Sequence, residues 1–178
     1  MYEENAVLHA LCTRRSVRSY DSTKPVEQEK IQAVLTAGQY APTGMNRMPT
    51  KFVVIRNPEM LHQLSNQNAE IMGAADRDPF YGAPVILIVL ANKDIPTYKY
   101  DGSLVMGNFM NAATSLGLGS IWVHRAKEEF ESEFGKKILA DLGIEGNYEG
   151  IGHCVLGYAA NEVPEAAPRK DNYVYYAE

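Results

Sequence analysis

The sequence predicts a three-layer α/β/α fold, in which helices cover both faces of a central sheet of four or five strands. Segments with the apolar spacing of helices alternate with short apolar segments typical of strands along the 178 residues. The run from 84 to 91 is apolar throughout and lies between Gly82 and Asn92, which is typical of a central strand covered on both faces. The run from 102 to 116 is apolar nearly all the way round, so this helix lies either deep in the core or in a subunit interface.

In the amino-terminal half, apolar spacing predicts two helices, one that ends near Thr13 and one from Glu27 to about Tyr40. A short strand is predicted from Lys51 to Arg56, where β-branched residues are followed by an Asn-Pro pair. A third helix begins near Glu59. The polar stretch from Asn66 to Asp78 fits either a helix or a mobile loop.

In the carboxy-terminal half, two further strands are predicted, from Ser120 to His124 and from Ile151 to Tyr158. An amphipathic helix is predicted between them, from Lys127 to about Leu142. The tail after Asn161 is polar and interrupted by prolines. The length predicts that residues 1–178 form a single domain.

Composition excludes several classes of protein. Apolar residues make up 46 % and charged residues 22 % of the chain, which is ordinary for a globular protein. No apolar run reaches the length of a transmembrane helix, and the acidic first residues do not resemble a targeting signal. Two cysteines, Cys12 and Cys154, are too few for a disulfide framework, which fits a reducing cytoplasm. With 22 acidic against 17 basic residues we expect no nucleic-acid partner, and without a transmembrane run we expect no membrane partner.

A basic cluster follows the first helix. Arg14, Arg15 and Arg18 lie within a few residues of one another, together with Ser16, in a chain whose net charge is −5. Each guanidinium presents a planar fork of donors that suits a phosphate or carboxylate. The cluster therefore indicates a bound anion such as a cofactor phosphate, and the alternative is an ordinary solvated surface.

Other chemistry-bearing patterns are weak. The four histidines lack metal-ligand spacing, and His153 and Cys154 are adjacent, so in a strand they face opposite sides. The glycines at 150 and 152 precede an apolar strand, whereas a dinucleotide-binding loop precedes a helix. The glycines at 117 and 119 join a helix to a strand and fit a helix C-cap. The sequence thus predicts no metal site, no nicotinamide-binding domain and no NTPase loop.

Taken in order, several segments resemble the FMN-dependent nitroreductase family, from Leu11 to about Lys170. The resemblance implies an α+β fold with a mostly antiparallel sheet, and a homodimer with FMN at the subunit interface. It also implies that the tail after about residue 161 reaches across the dimer. The segments that carry it are Arg14–Arg18, Ala41–Asn46, Asp101, Gly117–Val123, Gly157-Tyr158 and Arg169-Lys170.

The resemblance also implies site residues. Arg14, Ser16 and Arg169 match positions that hold the FMN phosphate, with Arg15 and Lys170 assisting. Arg18 matches a basic residue near the N1/O2 edge of the flavin ring. The loop that packs on the flavin from the partner subunit is matched by Pro42, Thr43, Gly44 and Asn46. Backbone at the reactive edge of the ring is matched by Val123 and His124.

The implied activity is reduction of a nitroaromatic, quinone or similar small molecule, with NADH or NADPH as electron donor and ping-pong kinetics. No side chain stands out as an acid or base. The loop reads Asn46-Arg47-Met48-Pro49-Thr50 where the family often has Asn-x-Gln-Pro-Trp, which leaves substrate preference open. Three alternatives remain: a flavin-binding protein of low turnover for storage or sensing, a flavoenzyme of different chemistry such as dehalogenation, flavin breakdown or azoline oxidation, and a non-flavin anion-binding domain.

Overall fold

The strands of the computed structural model, which describes residues 4–177, are β1 (Thr50–Ile55), β2 (Val85–Asn92), β3 (Gly119–Val123) and β4 (Tyr148–Gly157). They form one four-stranded sheet in the order β1–β2–β4–β3. All three pairings are antiparallel. The predicted sheet of four to five mostly antiparallel strands is therefore confirmed.

Six α-helices and one short 3-10 turn surround this sheet in the described part of the chain. No helix among residues 4–177 combines the length and the apolar character needed to cross a membrane. The helices are α1 (Ala6–Thr13), α2 (Gln28–Gln39), α3 (Pro58–Met72), α4 (Tyr98–Ser115), α5 (Ala126–Glu131) and α6 (Glu133–Asp141), and the 3-10 turn is Gly44–Asn46.

Alternating side chains of the central strand β2 build two cores. Because successive strand residues point to opposite faces, Ile86 and Ile88 pack with residues of α3, α5 and α6, whereas Leu87 and Val89 pack with residues of α2 and α4. All four side chains are fully buried. This arrangement confirms the three-layer prediction and the doubly covered central strand.

The predicted single helix from Lys127 to Leu142 is wrong. Ser132 adopts an extended backbone conformation (φ −75°, ψ 163°), so α5 ends before it and α6 begins after it. Its hydroxyl accepts a hydrogen bond from the Gly135 N–H (3.3 Å), which caps the first turn of α6. The amphipathic pattern continues through the break because both helices face the same core.

The structure moves one predicted helix boundary and settles the conformation of a stretch that the sequence left open. The helix expected from Gly102 begins at Tyr98, one turn earlier. The stretch from Asn66 to Asp78 divides: α3 continues to Met72 and ends at Gly73, whose φ of +72° is the left-handed conformation that glycine tolerates best. The remainder of the stretch is a turn.

A bulge in β4 places α5 on the sheet. Val89 pairs with Gly152 and Leu90 pairs with Gly150, so Ile151 is the extra residue. A side chain on Gly150 would collide with the backbone of Ala126 at the start of α5. The bulge and this close approach hold α5 directly behind the end of β3, where the candidate site lies.

Candidate functional site

The basic cluster lies along the free edge of β3. Ser16 forms a parallel bridge with Ser120, and the Val17 N–H donates to the Ser120 carbonyl (3.1 Å). Arg14 directly follows the last residue of α1 and Arg15 comes next, so both arginines lie at the start of the segment that runs along this edge. Arg18 is exposed. Four of the predicted phosphate and ring residues are thus brought together at one strand edge.

Three buried polar atoms at this edge have no hydrogen-bond partner within residues 4–177: Arg14 Nη1, Arg15 Nε and Ser120 Oγ. Guanidinium nitrogens can only donate. Leaving such donors unpaired in a buried place is unfavourable, so the edge is suited to a group rich in acceptor oxygens.

The protein itself supplies no counter-charge to Arg14 from the neighbouring thiol. Burial raises the pKa of the Cys154 thiol, and the nearby Arg14 guanidinium acts in the opposite direction with a smaller effect. The thiol therefore stays neutral at physiological pH. An anionic group from outside the chain is the natural partner for this arginine.

A cavity of about 230 Å³ adjoins the cluster. It is lined by residues 16–19 and by residues 161–164 at the start of the tail. The start of the tail is therefore part of this site within one protomer.

Arg15 also donates through Nη1 to the carbonyls of Cys12 (2.8 Å) and Arg14 (2.6 Å), which holds its side chain against the end of α1.

The second basic pair lies elsewhere in the tail. The Arg169 guanidinium donates through Nε and Nη2 to the Ala167 carbonyl (3.0 and 2.6 Å), and both Arg169 and Lys170 are exposed. In the described part of the chain no hydrogen bond, ion pair or shared cavity joins this pair to the basic cluster. Their role at the phosphate stays a prediction for the assembled protein.

A buried carboxylate organises the loop that contains Pro42, Thr43, Gly44 and Asn46. Asp101 is 3 % exposed and accepts from the Gly44 N–H through Oδ1 (2.9 Å) and from the Thr97 hydroxyl through Oδ2 (2.8 Å). Asp101 is among the positions that carry the family resemblance, but its role at this loop was not predicted from the sequence.

This loop has an unusual backbone. Met45, Asn46 and Met48 have φ of 51°, 54° and 45°, the left-handed region, which costs each non-glycine residue about 1 kcal/mol. Such strain is typical of ligand-contacting loops. A side chain on Gly44 would collide with the Thr97 side chain. The loop is therefore built on α4 and presents exposed Met45 and Met48 outward.

Replacing Asp101 with alanine is expected to destabilise the protein by about 1–3 kcal/mol, because the Gly44 N–H and the Thr97 hydroxyl both lose their acceptor. The free energy of unfolding in urea and hydrogen exchange of the Gly44 N–H measure the effect. Thr97→Val, which removes one bond and keeps the shape, is the matched control and should cost less. An Asp101→Ala protein as stable as the parent contradicts the assignment.

Val123 and His124 lie at the other end of the same edge. At about 3.3 Å per strand residue, Val123 is roughly 10 Å from Ser120. The Val123 side chain is buried, and the His124 side chain is exposed. Both carbonyls are held from behind, by His153 Nδ1 (3.3 Å) and Asn68 Nδ2 (3.1 Å), respectively.

Residues 4–177 contain no group of three or more His, Cys, Asp or Glu placed to hold a metal ion.

Comparison with known proteins decides the family. The sequence model described as "Nitroreductase family" matches residues 11–158. The chain belongs to the nitroreductase family. This membership confirms the resemblance that the ordered motifs indicated.

Two relatives provisionally named NADH dehydrogenase/NAD(P)H nitroreductase illustrate the similarity. The protein of Archaeoglobus fulgidus is 32 % identical over 160 residues, which cover 87 % of this chain and 86 % of that protein. The protein of Methanothermobacter thermautotrophicus is 35 % identical over 120 residues, 65 % of this chain and 59 % of that relative. The match thus spans less than two thirds of the second relative.

A solved structure shares the nitroreductase fold throughout. The crystal structure of a nitroreductase with bound FMN from Bacteroides fragilis superposes with a TM-score of 0.88 at 27 % identity, covering 98 % of this chain and 100 % of that one. The fold class predicted from the sequence is confirmed at this level of detail.

The edge of β3 fits FMN on its own chemistry. The unpartnered donors of Arg14 and Arg15 suit a phosphate, and Ser16 and Ser120 add hydroxyls beside them. These residues would hold the cofactor.

Proposed function

We propose that this protein is an FMN-dependent oxidoreductase that uses NADH or NADPH to reduce a nitroaromatic, quinone or similar small molecule. The observation that carries the proposal is the set of buried, unpartnered polar atoms of Arg14, Arg15 and Ser120 along one strand edge of a nitroreductase fold. Two free cysteines, one of them buried, support a reducing cytoplasmic location.

When bound, FMN supplies the chemistry, a two-electron exchange in which donor and acceptor use one face of the ring in turn, which gives ping-pong kinetics. The chain's own residues bind and orient it. Arg14 and Ser16 hold the phosphate with help from Arg15, whose side chain is fixed on the end of α1. Arg18 brings positive charge to the N1/O2 edge, where it favours an anionic ring. The backbone of Val123 and His124 orients the reactive edge.

We further propose a homodimer with FMN at the subunit interface. Exposed apolar side chains on α1 support it: Val7, Leu8 and Leu11 are 68 %, 45 % and 50 % exposed, respectively. Single protomers rarely expose such a face. The partner's copy of the Pro42–Asn46 loop would cover the flavin, and its exposed methionines are apolar surface for that purpose.

The purified protein is expected to be yellow or to take up added FMN, and its visible flavin absorption is expected to bleach under anaerobic NADH or NADPH. Steady-state plots at several acceptor concentrations are expected to give parallel double-reciprocal lines. Absorption spectra before and after anaerobic addition of each nicotinamide test cofactor and donor together.

The outcomes separate the alternatives. A colourless protein that does not take up FMN overturns the proposal in favour of a non-flavin anion-binding domain. A protein that binds FMN but is reduced by neither nicotinamide is instead a flavin-binding protein of low turnover. Reduction without turnover of any nitroaromatic or quinone directs attention to other flavin chemistry.

The tail after residue 161 is proposed to reach across this dimer. In one protomer it has no helix or strand between 161 and 177, and Tyr173, Tyr175 and Tyr176 are 67–87 % exposed. Truncation after Pro164 keeps the cavity wall and removes the rest of the tail. We expect it to weaken dimerisation, measured by sedimentation, and to weaken FMN binding.

The control for the truncation is the full-length double variant Arg169→Ala/Lys170→Ala. If the pair binds phosphate from across the dimer, this variant weakens FMN binding and leaves the dimer intact. A truncated protein that remains a dimer with unchanged FMN affinity removes the tail from both roles.

A further inference from the structure

A buried polar network lies behind the end of β3, on the face away from the basic cluster. It consists of Asn68 on α3, Glu129 on α5 and His153 on β4, all of them fully buried. Buried polar side chains of this kind are unfavourable unless they satisfy one another. The three come from elements far apart in the sequence and converge on residues 123–125.

Asn68 is the hub of the network. Its Nδ2 donates to the His124 carbonyl (3.1 Å) and to Glu129 Oε2 (3.3 Å), and its Oδ1 accepts from Arg125 Nε (3.0 Å). Both neighbours of Nδ2 can only accept and the neighbour of Oδ1 can only donate, so the amide has one possible orientation. Both amide hydrogens are therefore used.

His153 holds the preceding peptide group, that of Val123, by a further hydrogen bond. Since the Val123 carbonyl can only accept, His153 Nδ1 carries the hydrogen and donates across 3.3 Å. His153 Nε2 lies 2.6 Å from Glu129 Oε2 in a bent, electrostatic contact. The ring also packs against Phe80, with the ring centres 5.2 Å apart. The imidazole therefore has little freedom to rotate.

The backbone that the network holds is itself unusual. Arg125 has φ +76°, a left-handed conformation that a non-glycine residue rarely adopts, and it begins α5. Its own side chain is bound to Asn68. Groups on one side of the backbone thus hold the carbonyls of Val123 and His124 and the side chain of Arg125. The opposite side of this backbone, at the free edge of β3, is therefore fixed in orientation.

We propose that Asn68, Glu129 and His153 are positioning residues that fix the backbone of residues 123–125 before the cofactor binds. The inference rests on the proposed function, in which this backbone meets the reactive edge of the flavin. The network acts through the peptide groups and touches neither the phosphate site nor the substrate. It sets how the ring is held where hydride is exchanged, and a displacement of even 1 Å there slows a reaction about a hundredfold.

Two variants of matched shape test the proposal. Asn68→Asp places a carboxylate against two acceptors, and Glu129→Gln replaces the carboxyl group that contacts Asn68 Nδ2 and His153 Nε2 with an amide, which has only one acceptor oxygen. Their controls are Asn66→Asp and Glu128→Gln, which make the same changes at exposed positions on the same two helices.

In both FMN-loaded test variants, NADPH is expected to reduce the bound flavin at least tenfold more slowly than in the parent, because the ring is misoriented. The midpoint potential of bound FMN shifts outside the range of the parent and the controls. The dissociation constant of FMN changes less than about threefold, because the charge-assisted phosphate contacts are untouched. Folded variants that keep the parent's potential and reduction rate overturn the proposal.

A measurement on the unmutated chain applies even if a variant fails to fold. In the apo protein, NMR order parameters of the backbone of residues 123–126 are expected to be those of a rigid backbone, and FMN is expected to change them little. Low order parameters that rise only when FMN is added show that the cofactor orders this backbone, and they overturn the proposal. Failure of the parent to bind FMN or to react with NADPH is instead a failure of the proposed function.

Discussion

Replacing Arg14 with alanine is expected to weaken FMN binding at least tenfold. A charge-assisted hydrogen bond contributes on the order of 1.5–3 kcal/mol, and Nη1 of Arg14 is buried and unpartnered within residues 4–177. Titration of apo protein with FMN, followed by flavin fluorescence or calorimetry, measures the change. Unchanged affinity removes Arg14 from the site.

The same substitution distinguishes binding from structure. Because an unpartnered buried donor is unfavourable in the free protein, removing Arg14 should not lower the thermal stability of the apo form. The rise in melting temperature that FMN causes should shrink, since stabilisation by a ligand follows its affinity. Arg14→Met, which keeps the apolar stem, should behave like Arg14→Ala. Loss of apo stability in both variants would instead indicate a structural role.

Arg77→Ala is the matched control for the charge. Arg77 is exposed in the turn after α3, and its replacement makes the same change in net charge. FMN affinity should remain that of the parent. If Arg77→Ala weakens binding as much as Arg14→Ala, general electrostatic attraction rather than a specific contact explains the arginine effect.

Local pattern was sufficient for the sheet. The apolar run of β2 has neighbours on both faces, so hydrophobicity alone identifies it, and the alternation rule correctly places His153 and Cys154 in different cores. The basic cluster was also visible, because three arginines in five residues are conspicuous in an acidic chain.

Long-range pairing was not visible. The partner of Asp101 is the Gly44 N–H, 57 positions away, and the partners of Asn68 lie 56 to 61 positions away. An isolated carboxylate or amide carries no sign of the group it will bond. The break between α5 and α6 was missed for a related reason: the apolar face continues through Ser132, and only the extended backbone there shows that the helix ends.

Replacing Gly150 with alanine is expected to destabilise the protein by about 3 kcal/mol, the upper part of the range for overpacking. The added Cβ would collide with the backbone carbonyl of Ala126, and a backbone atom cannot rotate away as a side chain can. Relief requires α5 to move off the bulge of β4. For a chain of this size, the melting temperature should fall by roughly 6–12 °C, measured on apo protein at fixed concentration.

Gly152→Ala is a control two residues along the same strand. There the obstacle is the Trp122 indole, a side chain that can shift, so the expected cost is about 1 kcal/mol. Movement of α5 would also carry Glu129 and Arg125 away from Asn68, so Gly150→Ala should lower the backbone NMR order parameters of residues 123–126 while Gly152→Ala should not. Equal destabilisation by the two changes would show that α5 adjusts freely, and a freely adjusting helix could not hold the end of β3 in one orientation.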